Sequence, residues 1–220
     1  MSNKPGTHQF TVTATEVLLE SPILGVRRDT VVMPGGSSAA REVVEHFGAV
    51  AVVACDGENI AMVKQYRQGV GDRLWELPAG LLDIANESEL FGAQRELIEE
   101  AGLEANSWSV LTDLITSPGF CDEAVRVFLA QDLTEVPRPD VDGDEEADMV
   151  VKWFPLHEAV AMVFRGELVN SIAIAGVMTA DAVIHGRAKA RDAAEPFTYR
   201  PTALARRRQA RGSVPDMKKL

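Results

Sequence analysis

Residues 87–103 read Glu-Ser-Glu-Leu-Phe-Gly-Ala-Gln-Arg-Glu-Leu-Ile-Glu-Glu-Ala-Gly-Leu, and this stretch decides the fold. The pattern predicts a helix from about Ser88 to Ala101. Gly102 ends it, because glycine suits the left-handed residue that follows a helix. Residues three and four apart share a helix face, so Glu96, Glu99 and Glu100 cluster on one side. Glu87 and Glu89 stand at the helix start, where the macrodipole favours negative charge. Glu99 and Glu100 stand near the end, where it does not. The Glu96/Glu100 pair alone costs about 0.2–0.5 kcal/mol in an isolated helix. Arg95 is the only cation in the segment. A bound cation would turn this repulsion into a ligand set, and carboxylate oxygens suit hard ions such as Mg²⁺ or Mn²⁺ that bridge to phosphates. A solvated acidic face is the competing reading of the helix alone. Gly92 inside the helix costs about 1 kcal/mol relative to Ala, so it marks a place where close packing is expected.

Outward from this helix, β-type stretches dominate the N-terminal side. Strands are predicted at Phe10–Leu19, Ile23–Met33, Arg41–Phe47, Ala49–Cys55 and Ile60–Tyr66, with Asp56-Gly57-Glu58-Asn59 as a hairpin turn. Residues 74–80, Leu-Trp-Glu-Leu-Pro-Ala-Gly, lead into a loop. Beyond the helix, strands are expected at Trp108–Leu114, Ala124–Ala130 and Met149–Phe154, and helices at Pro155–Phe164 and Ser171–His185. A long acidic loop covers Thr134–Asp148. The strand and helix segments predict an α/β fold.

The chain has 220 residues, enough for one ordinary domain with a smaller extension. Its net charge of −11 disfavours nucleic acid and anionic lipid, and also a free anionic nucleotide unless cations or arginines intervene. Cys55 and Cys121 fit no metal or redox spacing and are expected to be reduced thiols. The N-terminal Met-Ser-Asn-Lys-Pro-Gly lacks the apolar core of a signal peptide, and no apolar run is long enough to span a bilayer, so a cytoplasmic protein without membrane partners is expected. From Gly186 onward the chain turns basic, which is read as a flexible tail, with nucleic-acid binding as the alternative. His8, His46, His157 and His185 form no ligand pair and are read as surface or structural residues.

Gly80, Glu87, Arg95, Glu96, Leu97, Glu99, Glu100, Gly102 and Leu103 together resemble the Nudix box. Six residues rather than five separate Gly80 from Glu87. This insertion falls in the loop before the helix, where it leaves the register intact. Gln65-Tyr66-Arg67, Glu76-Leu77-Pro78-Ala79-Gly80 and Pro118 resemble the ADP-ribose pyrophosphatase subfamily. The likeness runs from about Phe10 to Arg200 and is to the actinobacterial type, which carries the same longer loop.

The resemblance implies an α/β/α Nudix sandwich with a mixed sheet plus a small N-terminal antiparallel sheet. It divides the chain into an N-terminal β-sheet and dimerisation region (1–47), a hydrolase domain (48–190) and a basic tail (191–220). It also implies Mg²⁺-dependent hydrolysis of ADP-ribose to AMP and ribose 5-phosphate by a homodimer, with Mn²⁺ as an alternative ion. Glu96, Glu100 and the Ala79 carbonyl would ligate the metals, with Glu99 as an additional or supporting ligand. Arg95, Gly80 and Glu87 would support the site. The general base would come from the acidic loop, Glu146 first and Glu145 second. Arg67 and Arg41 would hold the diphosphate or the terminal ribose, as guanidinium geometry favours. The competing functions are a Nudix enzyme for a sugar nucleotide, NADH or a dinucleoside polyphosphate, and a non-catalytic ADP-ribose sensor.

Overall fold

The computed structural model describes residues 6–139 and 148–220. At its centre is β4 (Ala49–Cys55), buried along its whole length. An unbroken apolar run is what a strand covered on both faces requires, because successive side chains point to opposite sides. Ala49, Ala51, Val53 and Cys55 face one core, while Val50, Val52 and Ala54 face the other. On the first side lie α2 (Leu156–Arg165) and α3 (Ser171–Ile184), which contribute Ala159, Met162, Ala173 and Val177. On the second lies α1 (Glu89–Glu96), with Leu82, Ala93 and Leu97. The expected α/β/α layering follows from this alternation.

The large sheet has the order β10 (Val150–Pro155), β5 (Asn59–Arg67), β4, β9 (Ala124–Glu135), β8 (Leu103–Ile115), β11 (Arg191–Asp192). β6 (Asp72–Glu76) joins β5, and β7 (Ala79–Leu81) joins β4. β4 and β9 run parallel and the remaining pairs antiparallel, so the sheet is mixed. β6 and β7 fall in a stretch, up to the loop after Gly80, to which the sequence reading assigned no element. They are short, and Pro78 between them hides the pairing, yet they place Ala79 and Gly80 against β4. β8 and β9 are longer than predicted, because residues 103–107 pair with residues 131–135, and Leu103, Ala105 and Leu133 in these ends still pack on the second core.

β1 (Val12–Glu20), β2 (Gly25–Val32) and β3 (Ser38–Glu45) make a separate antiparallel sheet, as expected. β1 is exposed over nearly its whole length, including Val12, Val17, Leu18 and Leu19.

The C-terminal expectation needs correction. The terminus is not a loose tail: α4 (Ala203–Ala210) packs Leu204 beside Phe47 and Met217 in a small buried cluster. Several of its cations are matched to acids elsewhere in the fold. Arg191 meets Asp113, Arg200 meets Glu89, Arg207 meets Glu20 and Glu45, and Arg211 meets Glu20. A basic segment at the end of an acidic chain finds its partners within that chain. No helix among the described residues is long and apolar enough to cross a membrane.

Candidate active site

α1 begins at Ser88, whose hydroxyl accepts a hydrogen bond from the Phe91 N–H, a cap that satisfies a free donor at the helix end. After Glu96 the helix widens into a single π-helical turn, Leu97–Ala101, and stops at Gly102 with φ +65°. Such turns are rare and concentrate at functional sites. This one carries Glu99 and Glu100, and an α-helical reading of the sequence spacing does not reveal it. Gly92 has its packing reason: a Cβ there would lie 3.1 Å from both Glu87 Oε2 and Leu82 Cδ2.

Arg95 binds the box together. Its Nε and one terminal nitrogen donate to the two Glu87 oxygens at 3.0 and 3.1 Å. The other terminal nitrogen donates to Glu96 at 2.6 Å and to Glu99 at 3.0 Å. Glu96 and Glu100 are buried, and Glu100 Oε2 accepts from the Ala79 N–H at 2.8 Å. Gly80 allows Glu96 to approach: a Cβ at position 80 would lie 2.0 Å from the Glu96 carboxylate. Burial pushes the Glu96 carboxyl up to about 7 against the pull of Arg95, and the charges of Glu99 and Asp83 add to the rise.

These groups open onto a cavity of about 590 Å³, lined also by Gln65, Arg67, Asp83 and Lys218. A second hollow of about 420 Å³ shares Arg67, Ala79, Gly80 and Leu81 with it and extends to His46, Glu123 and Asn170. Of the residues expected from the sequence, Ala79, Gly80, Arg95, Glu96, Glu99, Glu100 and Arg67 line the first cavity, and Glu87 stands behind Arg95. Arg67 is braced by the buried Glu76, donating from Nε at 3.0 Å and from a terminal nitrogen at 2.7 Å. Arg41 is not among the lining residues. It is exposed on β3, donating to the Ala40 carbonyl. Glu145 and Glu146 lie outside the described residues.

Several lining residues were missed in the sequence. Glu76 is the brace of Arg67. Asp83 sits in the loop after β7, only 3% exposed. His46 lines the second hollow, and its Nδ1 accepts from the Gly48 N–H at 3.2 Å. Burial pushes the His46 imidazole down against the charges of Glu123 and Asp122. Lys218 comes from the far end of the chain. Glu76 opens the 76–80 stretch already singled out, without a role assigned to it there, whereas Asp83, His46 and Lys218 stand at no motif spacing.

The donors fit a hard cation by their chemistry. Glu96 is a buried carboxylate whose charge is incompletely offset, and a cation beside it would restore its ionised form. As they stand, the carboxylates are engaged by Arg95 and the Ala79 N–H. Among the described residues no three His, Cys, Asp or Glu side chains converge as a ready ligand group.

Comparison with known proteins matches the NUDIX domain over residues 45–172 and the nucleoside diphosphate sugar hydrolase N-terminal domain over residues 10–44. The chain is 55% identical to an ADP-ribose pyrophosphatase of Mycobacterium tuberculosis over 93% of its own length and 99% of that protein's. It is 39% identical to an ADP-ribose pyrophosphatase of Bacillus subtilis, covering 72% of this chain and 85% of the relative. A crystal structure of an ADP compounds hydrolase superposes with a TM-score of 0.70 at 20% identity, over 83% of this chain and 97% of that one, which shows the shared fold.

Proposed function

The chain belongs to the NUDIX family, and from that premise we propose that it hydrolyses the diphosphate of ADP-ribose to AMP and ribose 5-phosphate. The observation that carries this reading is the cavity that gathers Glu96, Glu99 and Glu100 opposite Arg67, in a chain 55% identical to an ADP-ribose pyrophosphatase. It is an enzyme, and its family depends on divalent metal. Mg²⁺, with Mn²⁺ as a substitute, is the ion proposed for Glu96, Glu100 and the Ala79 carbonyl, with Glu99 beside them. An ion held there would supply charge neutralisation for the phosphates and a lowered pKa for water at the site.

The chain's own residues then have separable tasks. Arg95 holds three glutamates in fixed rotamers, so the ligand oxygens are ordered before the ion arrives. Arg67, held flat by Glu76, presents a guanidinium suited to the diphosphate. A loop carboxylate, Glu146 or in its place Glu145, takes the proton of the attacking water. The oxygen of that water bonds to one phosphorus, the bridging P–O bond breaks, and the second phosphate leaves with the electron pair. The exposed strand β1 supports a homodimer in which the 1–47 region meets a second copy, and Arg41 is assigned to the diphosphate or terminal ribose with Arg67. The domain boundaries at 47 and 190 and a cytoplasmic location belong to the same proposal.

Incubation with ADP-ribose and Mg²⁺, alongside NADH, ADP-glucose, a dinucleoside polyphosphate and dGTP, tests the reading. ADP-ribose is expected to give AMP fastest. Faster cleavage of another compound overturns the substrate. ADP-ribose binding without cleavage under Mg²⁺ or Mn²⁺ makes the protein a sensor.

A further inference from the structure

Lys218 lies 118 residues beyond Glu100 in sequence, yet it lines the same cavity. Its backbone explains how. The segment Pro215–Lys218 runs along the loop that follows β7. The Ala85 N–H donates to the Pro215 carbonyl at 2.7 Å, Ile84 bridges Asp216 in antiparallel fashion, and the Met217 N–H donates to the Asp83 carbonyl at 2.9 Å. Met217 is 1% exposed and packs with Phe47 and Leu204, which anchors the segment to the body. The loop it straps is the one with the extra residue between Gly80 and Glu87. A longer loop has more conformations to lose, and the strap holds it at three points.

The side chain adds a charge to this tether. Lys218 Nζ lies 2.7 Å from Asp83 Oδ2. That contact falls on a buried carboxylate and pushes the Lys218 ammonium's pKa up, so it stays charged. Asp83 acts electrostatically on Glu96, as does Lys218, with opposite sign. The cavity therefore has a third fixed cation besides Arg67 and Arg95, delivered by the C-terminal segment.

We propose that Lys218 is a positioning residue of the active site: its ammonium holds Asp83 and the strapped loop, and sets the charge that an incoming divalent cation and diphosphate meet. The proposal rests on reading this cavity as the diphosphate-cleaving site. Two opposite consequences follow from one charge. A fixed ammonium weakens binding of a free divalent cation and strengthens binding of an anionic substrate.

The test uses the full-length chain and Mn²⁺ titrations without substrate, followed by ADP-ribose kinetics. Lys218→Met is expected to bind Mn²⁺ about fivefold more tightly, to raise KM about fivefold, and to leave kcat within about twofold. Lys218→Arg restores both. Asp83→Asn, which removes the opposite charge, moves Mn²⁺ affinity the other way. Thermal unfolding checks that each variant is folded. The proposal is overturned if Lys218→Met leaves Mn²⁺ affinity and KM within twofold. It is also overturned if Lys218→Met and Asp83→Asn shift Mn²⁺ affinity in the same direction, as simple loosening of the loop would do. If wild type cleaves none of the substrates, the proposed function fails, while the Mn²⁺ titrations still decide the role of Lys218.

Discussion

Glu45 and Glu96 are both carboxylates with less than a tenth of their surface exposed, but they sit in opposite environments. Around Glu45, the acids Glu20, Asp29 and Glu45 are matched by Arg27, Arg207 and Arg211. Burial raises the pKa of each of these three acids, and the arginines more than reverse it, so all three titrate below the usual range. Around Glu96, one guanidinium, Arg95, is divided among Glu87, Glu96 and Glu99, while Lys218 pairs with Asp83, and at Glu96 burial wins. The first group is balanced and ties β2, β3 and α4 together. The second is short of positive charge and faces a cavity. A deficit of charge, rather than a count of acids, separates a site awaiting a cation from a structural cluster.

The sharpest way to break this distinction is to neutralise one acid in each group. Glu100→Gln, and likewise Gly80→Ala, which drives a Cβ into the Glu96 carboxylate, are expected to lower kcat by about a hundredfold or more. The melting temperature of Glu100→Gln should hold or rise, because a like charge has been removed from a crowded site. Glu45→Gln should do the reverse. It leaves Arg27 and Arg207 without their shared acid and costs about 2–3 kcal/mol, which lowers the melting temperature by about 5–10 °C while kcat stays within a few fold. Steady-state kinetics and thermal unfolding on the same preparations decide it. Equal loss of activity in both variants would erase the contrast.

A divalent cation sharpens the same contrast. Mg²⁺ at about a hundred times its dissociation constant should stabilise the fold by about 2.7 kcal/mol, because it binds the folded state alone. Thermal unfolding with Mg²⁺ and with a chelator should therefore differ by several degrees in wild type and in Glu45→Gln. In Glu96→Gln the difference should shrink toward zero. A full shift in that variant would remove Glu96 from the ligand set.

The layers of the fold were readable because β4 is apolar throughout and the helical segment has its cap at Ser88 and its stop at Gly102. Both are local signals with a period. The π-helical turn was not readable, since the same residues satisfy an α-helical pattern and the extra residue per turn leaves no mark in composition. β6 and β7 were hidden by Pro78, and the tail by its basic composition, which resembles solvated chain until its acidic partners are placed. Within the site, the box residues were recovered because their spacing repeats on one helix. Glu76, Asp83, His46 and Lys218 come from separate parts of the chain, and only the folded chain brings Asp83 and Lys218 to the first cavity and His46 and Glu76 to the adjoining hollow. Arg95 was the underused clue: its four-residue spacing to Glu99 was present, and the structure adds Glu87 and Glu96 to the same guanidinium.

The smallest expected effect is also the one in which the two groups differ in sign. Glu96 titrates higher in the folded chain, at about 7, than in an unfolded one near 4.5. Between these values the folded state holds the extra proton, so metal-free stability should fall as pH rises from about 5 to 7, by about 1–2 kcal/mol. Glu20, Asp29 and Glu45 titrate lower when folded, so their contribution is complete above the unfolded pKa and is lost as pH falls through the folded one. Urea unfolding in chelator across pH 3–8 reads both limbs in one series. Glu96→Gln should flatten the limb above pH 5 and leave the acid limb intact. Glu45→Gln should blunt the acid limb and leave the other. If Glu96→Gln left the limb from pH 5 to 7 unchanged from wild type, Arg95 would already balance Glu96 and the buried carboxyl would not be the source of that limb.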